Sequence, residues 1–263
     1  MELLELRTLW SWLALGALAV TLLGGAVERA LARTAGDPPH ASGLFADERE
    51  VLARKRMVDR QLRSRGIVDT RVLDVMGAIR RSLFIPAAQR EHAYEDRPLP
   101  IGHGQTISQP YIVAVMTELL RLEPGDRVLE VGTGSGYQAA VLSRLAQRVF
   151  TIEILAPLAE RARGTLHSLG FDNVVVVTGD GYRGLPEEAP FDGILVTAAP
   201  AEVPQPLLDQ LAPEGRLVIP VGKRQQWLRV YEREEQGIRS ERLFRVRFVP
   251  MTGRAKRGPQ RSR

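Results

Sequence analysis

The sequence predicts an α/β fold: a doubly wound, mostly parallel seven-stranded sheet with an antiparallel C-terminal hairpin. Three observations carry this. After Pro124-Gly125, short Val/Ile/Leu runs alternate with helical segments; a glycine-rich turn follows the first run; and no helix separates the last two runs. Strand–helix alternation implies a parallel sheet covered on both faces. Two strands joined by a short polar turn imply an antiparallel pair.

The elements follow in chain order. From Asp47, the residues Leu52, Met57, Val58 and Leu62 keep a rough helical period between charges, and Arg65-Gly66 closes the segment. A second helix is expected over 70–79, an ordered loop over 94–109 with Pro98, Pro100, Gly102 and Gly104, and a helix over 110–120. Strands at 127–131, 149–153, 174–178, 193–197 and 216–220 alternate with helices at 137–146, 157–169 and 206–211. The runs 227–233 and 243–249, with Gln236-Gly237 between them, make the hairpin.

At 263 residues, with 44% hydrophobic and 25% charged, the chain suits one α/β domain with short extensions and excludes a fibrous or wholly disordered protein. The absence of cysteine excludes disulfides, thiolate metal sites and cysteine nucleophiles. The net charge of +5 is concentrated in Arg254, Lys256, Arg257, Arg261 and Arg263, which leaves the body near neutral and gives no nucleic-acid surface. That tail, 253–263, reads as disordered and solvated.

The N-terminus has its own character. Leu9 to Val27 carries no charge, and nineteen residues approach the roughly 20 that span a bilayer. Arg29, Arg33, Arg49, Arg54, Lys55 and Arg56 follow it, which favours a cytoplasmic domain tethered to the inner face of the membrane. A signal peptide cleaved near Ala30-Leu31-Ala32, or a start placed too far upstream, are the alternatives. The organisation expected is therefore an apolar segment and linker over 1–43, the enzyme-like domain over 44–252, and the tail.

Chemistry enters at Val128-Leu-Glu-Val-Gly-Thr-Gly-Ser-Gly136, a buried strand running into a glycine turn at a helix start. Ligands of open α/β sheets bind at the carboxyl ends of strands, and glycines there let backbone approach the ligand. Glu153, ending the next strand, is placed to accept from two ribose hydroxyls, and Asp180, in Gly179-Asp180-Gly181, to reach an adenine amino group. Together they describe a nucleoside site. The turn alone does not choose the cofactor, because Gly134-Ser-Gly136-Tyr-Gln-Ala139 also satisfies the looser dinucleotide pattern and Glu153 would serve NAD equally well.

The stretch Pro98-Leu-Pro-Ile-Gly-His-Gly-Gln-Thr-Ile-Ser-Gln-Pro110 resembles the signature loop of protein-L-isoaspartate O-methyltransferases. The resemblance runs from about Arg56 to Thr252. It takes in Met57-Val-Asp-Arg-Gln-Leu62, Phe84-Ile-Pro86, Ala93-Tyr-Glu-Asp96, the glycine turn, Pro190-Phe-Asp192, Val196-Thr-Ala-Ala-Pro200 and Val218-Ile-Pro-Val-Gly222. It implies a Rossmann-like class I methyltransferase fold, S-adenosylmethionine as donor, no metal, and isoaspartyl-containing proteins as substrates. Methylating the free α-carboxylate makes an ester that the neighbouring peptide nitrogen displaces to form a succinimide. Hydrolysis of the succinimide returns some normal aspartate.

The resemblance also explains why no acid–base pair stands out. A carboxylate with pKa near 4 is already ionised at neutral pH, so catalysis rests on alignment. Ser108 is then the expected catalytic residue, with Thr106, Ser108 and the backbone around Ala199 binding substrate. Glu130, Gly132, Gly134, Gly136, Glu153, Asp180 and Gly181 are expected to bind the cofactor. Ser108, standing before Gln109-Pro110, reads equally as a helix N-cap, and the two roles are compatible because a helix N-terminus favours anions. His92 and His103 read as packing and loop residues.

Three rivals remain: a methyltransferase for another carboxylate or small molecule, a non-catalytic nucleoside-binding module, and an NAD-dependent oxidoreductase. Methylation of base amines is disfavoured, since Thr197-Ala-Ala-Pro200 lacks an Asn or Asp to accept amine hydrogens.

Overall fold

The structure, a computed structural model, describes residues 41–253 and 255. Two units separate at Glu50, and of the first only the opening of helix α1 (Ala41–Met57) is described. The uncharged stretch 9–27 and nearly all of the basic tail lie outside the described residues, as does the expected linker up to residue 40; residues 41–43 are helical instead. Among the described residues, no helix is long and apolar enough to cross a membrane.

Seven strands form the main sheet: β3 (Arg127–Val131), β4 (Arg148–Glu153), β5 (Val174–Thr178), β6 (Phe191–Val196), β7 (Leu211–Val221), β8 (Gln226–Glu234) and β9 (Gly237–Val246). They lie in the order β5-β4-β3-β6-β7-β8-β9. The first five are parallel, and β8 and β9 continue the sheet as an antiparallel meander. The doubly wound sheet with its antiparallel end is the architecture the alternation predicted.

Boundaries differ where the apolar signal is weak. The hairpin turn is Glu235-Gln236, because Glu234 pairs with Gly237, and β9 begins there rather than at Leu243. Its first six residues are exposed on both sides, so no alternation marked them as strand. The expected loop 94–109 contains a small hairpin of β1 (Leu99–Gly102) and β2 (Gln105–Ile107). Its turn, Gly102-His103-Gly104, has φ of 91°, 53° and 68° in succession, which explains two glycines around one residue.

The core divides along strand alternation. Val128, Val149, Leu195 and Val218 point to a face covered by α2 (Thr70–Ala78), α3 (Pro110–Leu120), α4 (Tyr137–Ser143) and α5 (Ala156–Ser168). Leu129, Phe150, Ile194 and Leu217 point to the other face, where α6 (Gln205–Asp209) supplies Leu207 and Leu208. The parallel strands therefore present their carboxyl ends along one edge of the sheet.

Candidate active site

A cavity of about 850 Å³, counting its open mouth, lies at the carboxyl ends of β3, β4 and β6. Glu130, Gly132, Gly134, Glu153, Asp180 and Gly181 all line it, and so do Thr106 and Ser108. Two expected residues do not. Gly136 takes φ 86° as the N-cap of α4, and a side chain there would press on Leu166 of α5, so it sets helix packing. Ala199 donates its N–H to Val249 and accepts from Met251, both at 2.8 Å, so its backbone is already committed. Ala198 and Thr197 face the cavity in its place.

Gly132 is the tightest point of the turn. With φ +100°, a Cβ there would stand 2.2 Å from Thr197 Oγ1. That hydroxyl bridges β6 to β3, within 2.6 Å of the Gly132 carbonyl and 3.1 Å of the Val131 carbonyl. Gly134 donates its N–H to Glu153 Oε2 at 2.9 Å, and Leu155 N–H reaches Oε1 at 3.0 Å. Each oxygen of the buried Glu153 thus has one backbone donor and keeps capacity for another. Asp180 accepts from Tyr182 N–H at 3.1 Å.

Glu130 lies fully buried on the helix-covered face, opposite Thr151 in the parallel ladder. Thr151 Oγ1 is 2.6 Å from Glu130 Oε2 and 2.6 Å from Thr133 Oγ1, while Glu130 Oε1 has no partner. Desolvation raises the Glu130 pKa to about 8, against the pull of the Thr151 hydrogen bond and with a smaller push from Glu153. The unfolded side chain loses its proton near pH 4.5, whereas the folded one keeps it to about 8. Between those values the folded state binds more protons, so this group's contribution to stability falls as pH rises through the window. The slope is at most roughly 1.4 kcal/mol per pH unit. Glu130→Gln is expected to remove it, so the melting-temperature gap between variant and wild type should move in the variant's favour from pH 5.5 to 7.5. A pH-independent gap would show that Glu130 is ionised in the fold.

The loop carrying Ser108 is anchored from behind. Arg81, fully buried, donates Nη2 to the Ser108 carbonyl at 2.7 Å and Nε to the Ala93 carbonyl at 2.8 Å. Its guanidinium lies 5.0 Å from the Tyr137 ring centroid, and its pKa is lowered to about 10 by burial. The capping role expected for Ser108 is not observed: the N-cap of α3 is Gln109, which makes no side-chain capping bond, and Pro110 starts the helix. Among the described residues the Ser108 hydroxyl has no hydrogen-bond partner, and Ser108 lines the cavity wall. Behind it, Gln138 of α4 donates to Thr117 Oγ1 of α3 at 2.9 Å, which ties the Ser108 helix to the glycine-turn helix.

A last wall was not foreseen. Residues 249–252 cross the mouth after the final strand, joined to Ala199 through the bridge with Pro250. Tyr137, Gln138 and Tyr182 also line the cavity. Among the described residues there is no group of three His, Asp or Glu that could hold a metal ion.

The chain matches the family described as Protein-L-isoaspartate(D-aspartate) O-methyltransferase (PCMT) over residues 53–256. This chain belongs to that family. It is 55% identical over 222 residues to the protein-L-isoaspartate O-methyltransferase of Synechococcus sp. (strain JA-2-3B'a(2-13)), covering 81% of this chain and 89% of that protein. The protein of the same name from Methanoregula boonei is 58% identical over 202 residues, covering 76% and 93%. Among solved structures, a Plasmodium falciparum protein assigned as a beta-aspartate methyltransferase (PCMT), in complex with S-adenosyl-L-homocysteine, superposes with a TM-score of 0.66 at 29% identity. It covers 76% of this chain and 98% of that one. In this member of the protein-L-isoaspartate O-methyltransferase family, the glycine-turn cavity opens beside the hydroxyl residues Thr106 and Ser108.

Proposed function

We propose that this chain transfers a methyl group from S-adenosylmethionine to the free carboxylate of L-isoaspartyl residues in damaged proteins, with Ser108 and Thr106 orienting that carboxylate. One observation carries the assignment of roles. Thr106 and Ser108 line both the glycine-turn cavity and the open cleft beside it, so they stand where a donor and a polypeptide can meet.

The cavity fits the donor. A carboxyl oxygen of Glu130 is buried there without a partner, Glu153 has acceptor capacity left, and the glycine turn exposes bare backbone. Glu153 suits the ribose hydroxyls, Asp180 the adenine amino group, and Glu130, Gly132, Gly134 and Gly181 the remaining wall. When bound, S-adenosylmethionine supplies an electrophilic methyl on a sulfonium. The chain's own residues contribute position: the Ser108 and Thr106 hydroxyls donate to the substrate carboxylate, and Arg81 holds the Ser108 backbone still. No general base is needed, because the substrate arrives ionised.

Mass spectrometry of an isoaspartyl peptide incubated with the protein and S-adenosylmethionine tests this directly. The isoaspartyl peptide is expected to gain one methyl ester and the aspartyl peptide of the same sequence none. Equal labelling of the two, or labelling of neither by protein that binds the donor, overturns the reading.

The domain is read as residues 44–252, with the stretch 9–27 holding it at the cytoplasmic face of a membrane. The uncharged span and its basic flank support the tether. Cell fractionation checks it, and recovery of the whole chain in the soluble fraction would overturn it.

A further inference from the structure

Beyond Ser108 the cavity opens into a second cleft, between the start of α3 and the end of β9 with the residues after it. Thr106, Ser108, Thr197, Val249 and Pro250 belong to both spaces. A carboxylate held at Ser108 therefore leaves its polypeptide lying along this cleft.

The charge of the cleft is one-sided. Arg65, Arg245 and Arg247 line it, and among the described residues no carboxylate does. Arg65 is partly neutralised, with Nη1 2.9 Å from Asp96 Oδ2 and its guanidinium 3.7 Å above the Tyr111 ring. The other two are not. Arg245 lies 5.4 Å from the Trp227 ring centroid and reaches only the neutral Gln225 amide oxygen, at 3.5 Å. Arg247 is exposed and has no ion pair among the described residues.

They lie at the end of the outermost strand, which walls the cleft. In Phe244-Arg-Val-Arg-Phe248, the apolar residues pack against the core, and the arginines are exposed between them. Arginines on a terminal strand often serve only to keep an edge soluble. Here they line the rim of a cleft that ends at Ser108, and among the described residues neither pairs with a carboxylate.

On the reading that this site methylates isoaspartyl polypeptides, we propose that Arg245 and Arg247 make it select substrates with acidic side chains a few residues from the isoaspartyl position. An extended peptide advances about 3.3 Å per residue, so the side chains flanking the one at Ser108 are carried along the cleft that these arginines line. Arginine presents a planar donor fork that a carboxylate can meet with two hydrogen bonds. The contacts are exposed, so their effect is modest and sensitive to salt.

The test is a series of isoaspartyl peptides differing only in whether the flanking positions carry Glu, Gln or Lys. Wild-type kcat/KM at low salt is expected to run Glu over Gln over Lys, about two- to fivefold for each acidic side chain, and the spread should shrink at high salt. In Arg245→Gln/Arg247→Gln the Glu-to-Gln ratio should fall to near one, and in Arg247→Glu the preference should turn toward Lys. Equal rates for the three peptides in the wild type overturn the proposal, as does a ratio the double substitution leaves intact. Methylation of the Gln peptide without any flank preference fails this inference alone. Methylation of none of the peptides fails the assigned function itself.

Discussion

Gly132→Ala is expected to cost about 3 kcal/mol or more of stability and to leave no measurable S-adenosylmethionine binding. The methyl group would be placed 2.2 Å from Thr197 Oγ1 on a backbone with φ +100°. The backbone alone disfavours a side chain by roughly 1–2 kcal/mol, and alanine forced to positive φ destabilises beyond the usual entropy gain. Thr197 cannot simply step aside, since its hydroxyl lies against the Val131 and Gly132 carbonyls and joins β6 to β3 at the cavity floor. Gly134→Ala is the control. Its new methyl would meet only Ile101 Cδ1 at 3.4 Å, so it carries the strain of φ 52° without the collision. Adding Thr197→Ala to Gly132→Ala should recover part of the stability by removing the clash. Urea unfolding and calorimetry read these outcomes, and a Gly132→Ala protein as stable as wild type would mean the turn is shaped differently.

Ser108→Ala is expected to lower turnover of an isoaspartyl peptide about tenfold to a hundredfold while leaving donor affinity and melting temperature nearly unchanged. The first part follows from losing a hydrogen bond to a charged group, worth about 1.5–3 kcal/mol. The second follows from the cap geometry. A serine that capped α3 would cost about 1 kcal/mol on removal, but the N-cap here is Gln109 and makes no side-chain bond. Ser108→Gly should behave alike, since Arg81 holds the backbone carbonyl rather than the hydroxyl. A folded Ser108→Gly with full activity would refute the orienting role, and a large loss of stability in Ser108→Ala would return Ser108 to a structural one.

What the sequence disclosed follows the range of the forces involved. Strands such as Val128–Val131 and Val174–Thr178 were legible because burial imposes an apolar run, and Glu153 because strand and helix lengths fix its spacing from the glycine turn. The opening of β9 was hidden because its residues are polar on both sides, and β1 and β2 because three- and four-residue strands carry too little period. Long-range pairings were invisible. Arg80-Arg81 reads as an ordinary basic pair, yet Arg81 is fully buried and bonded to residues 12 and 27 positions away. Ala199 looked free to offer backbone to substrate because nothing nearby in the chain competes for it; its partners are Val249 and Met251. The cap assigned to Ser108 failed for a local reason: the helix begins at Pro110 as expected, which makes Gln109 the capping position.

The strap at 249–252 follows every strand of the sheet in chain order. Domains generally fold as units, and this one draws a wall of its cavity from residues made after its last strand. The cavity is therefore completed only once residues 249–252 have been made and have reached Ala199. A copy stalled on the ribosome before that point has no means of closing the cavity.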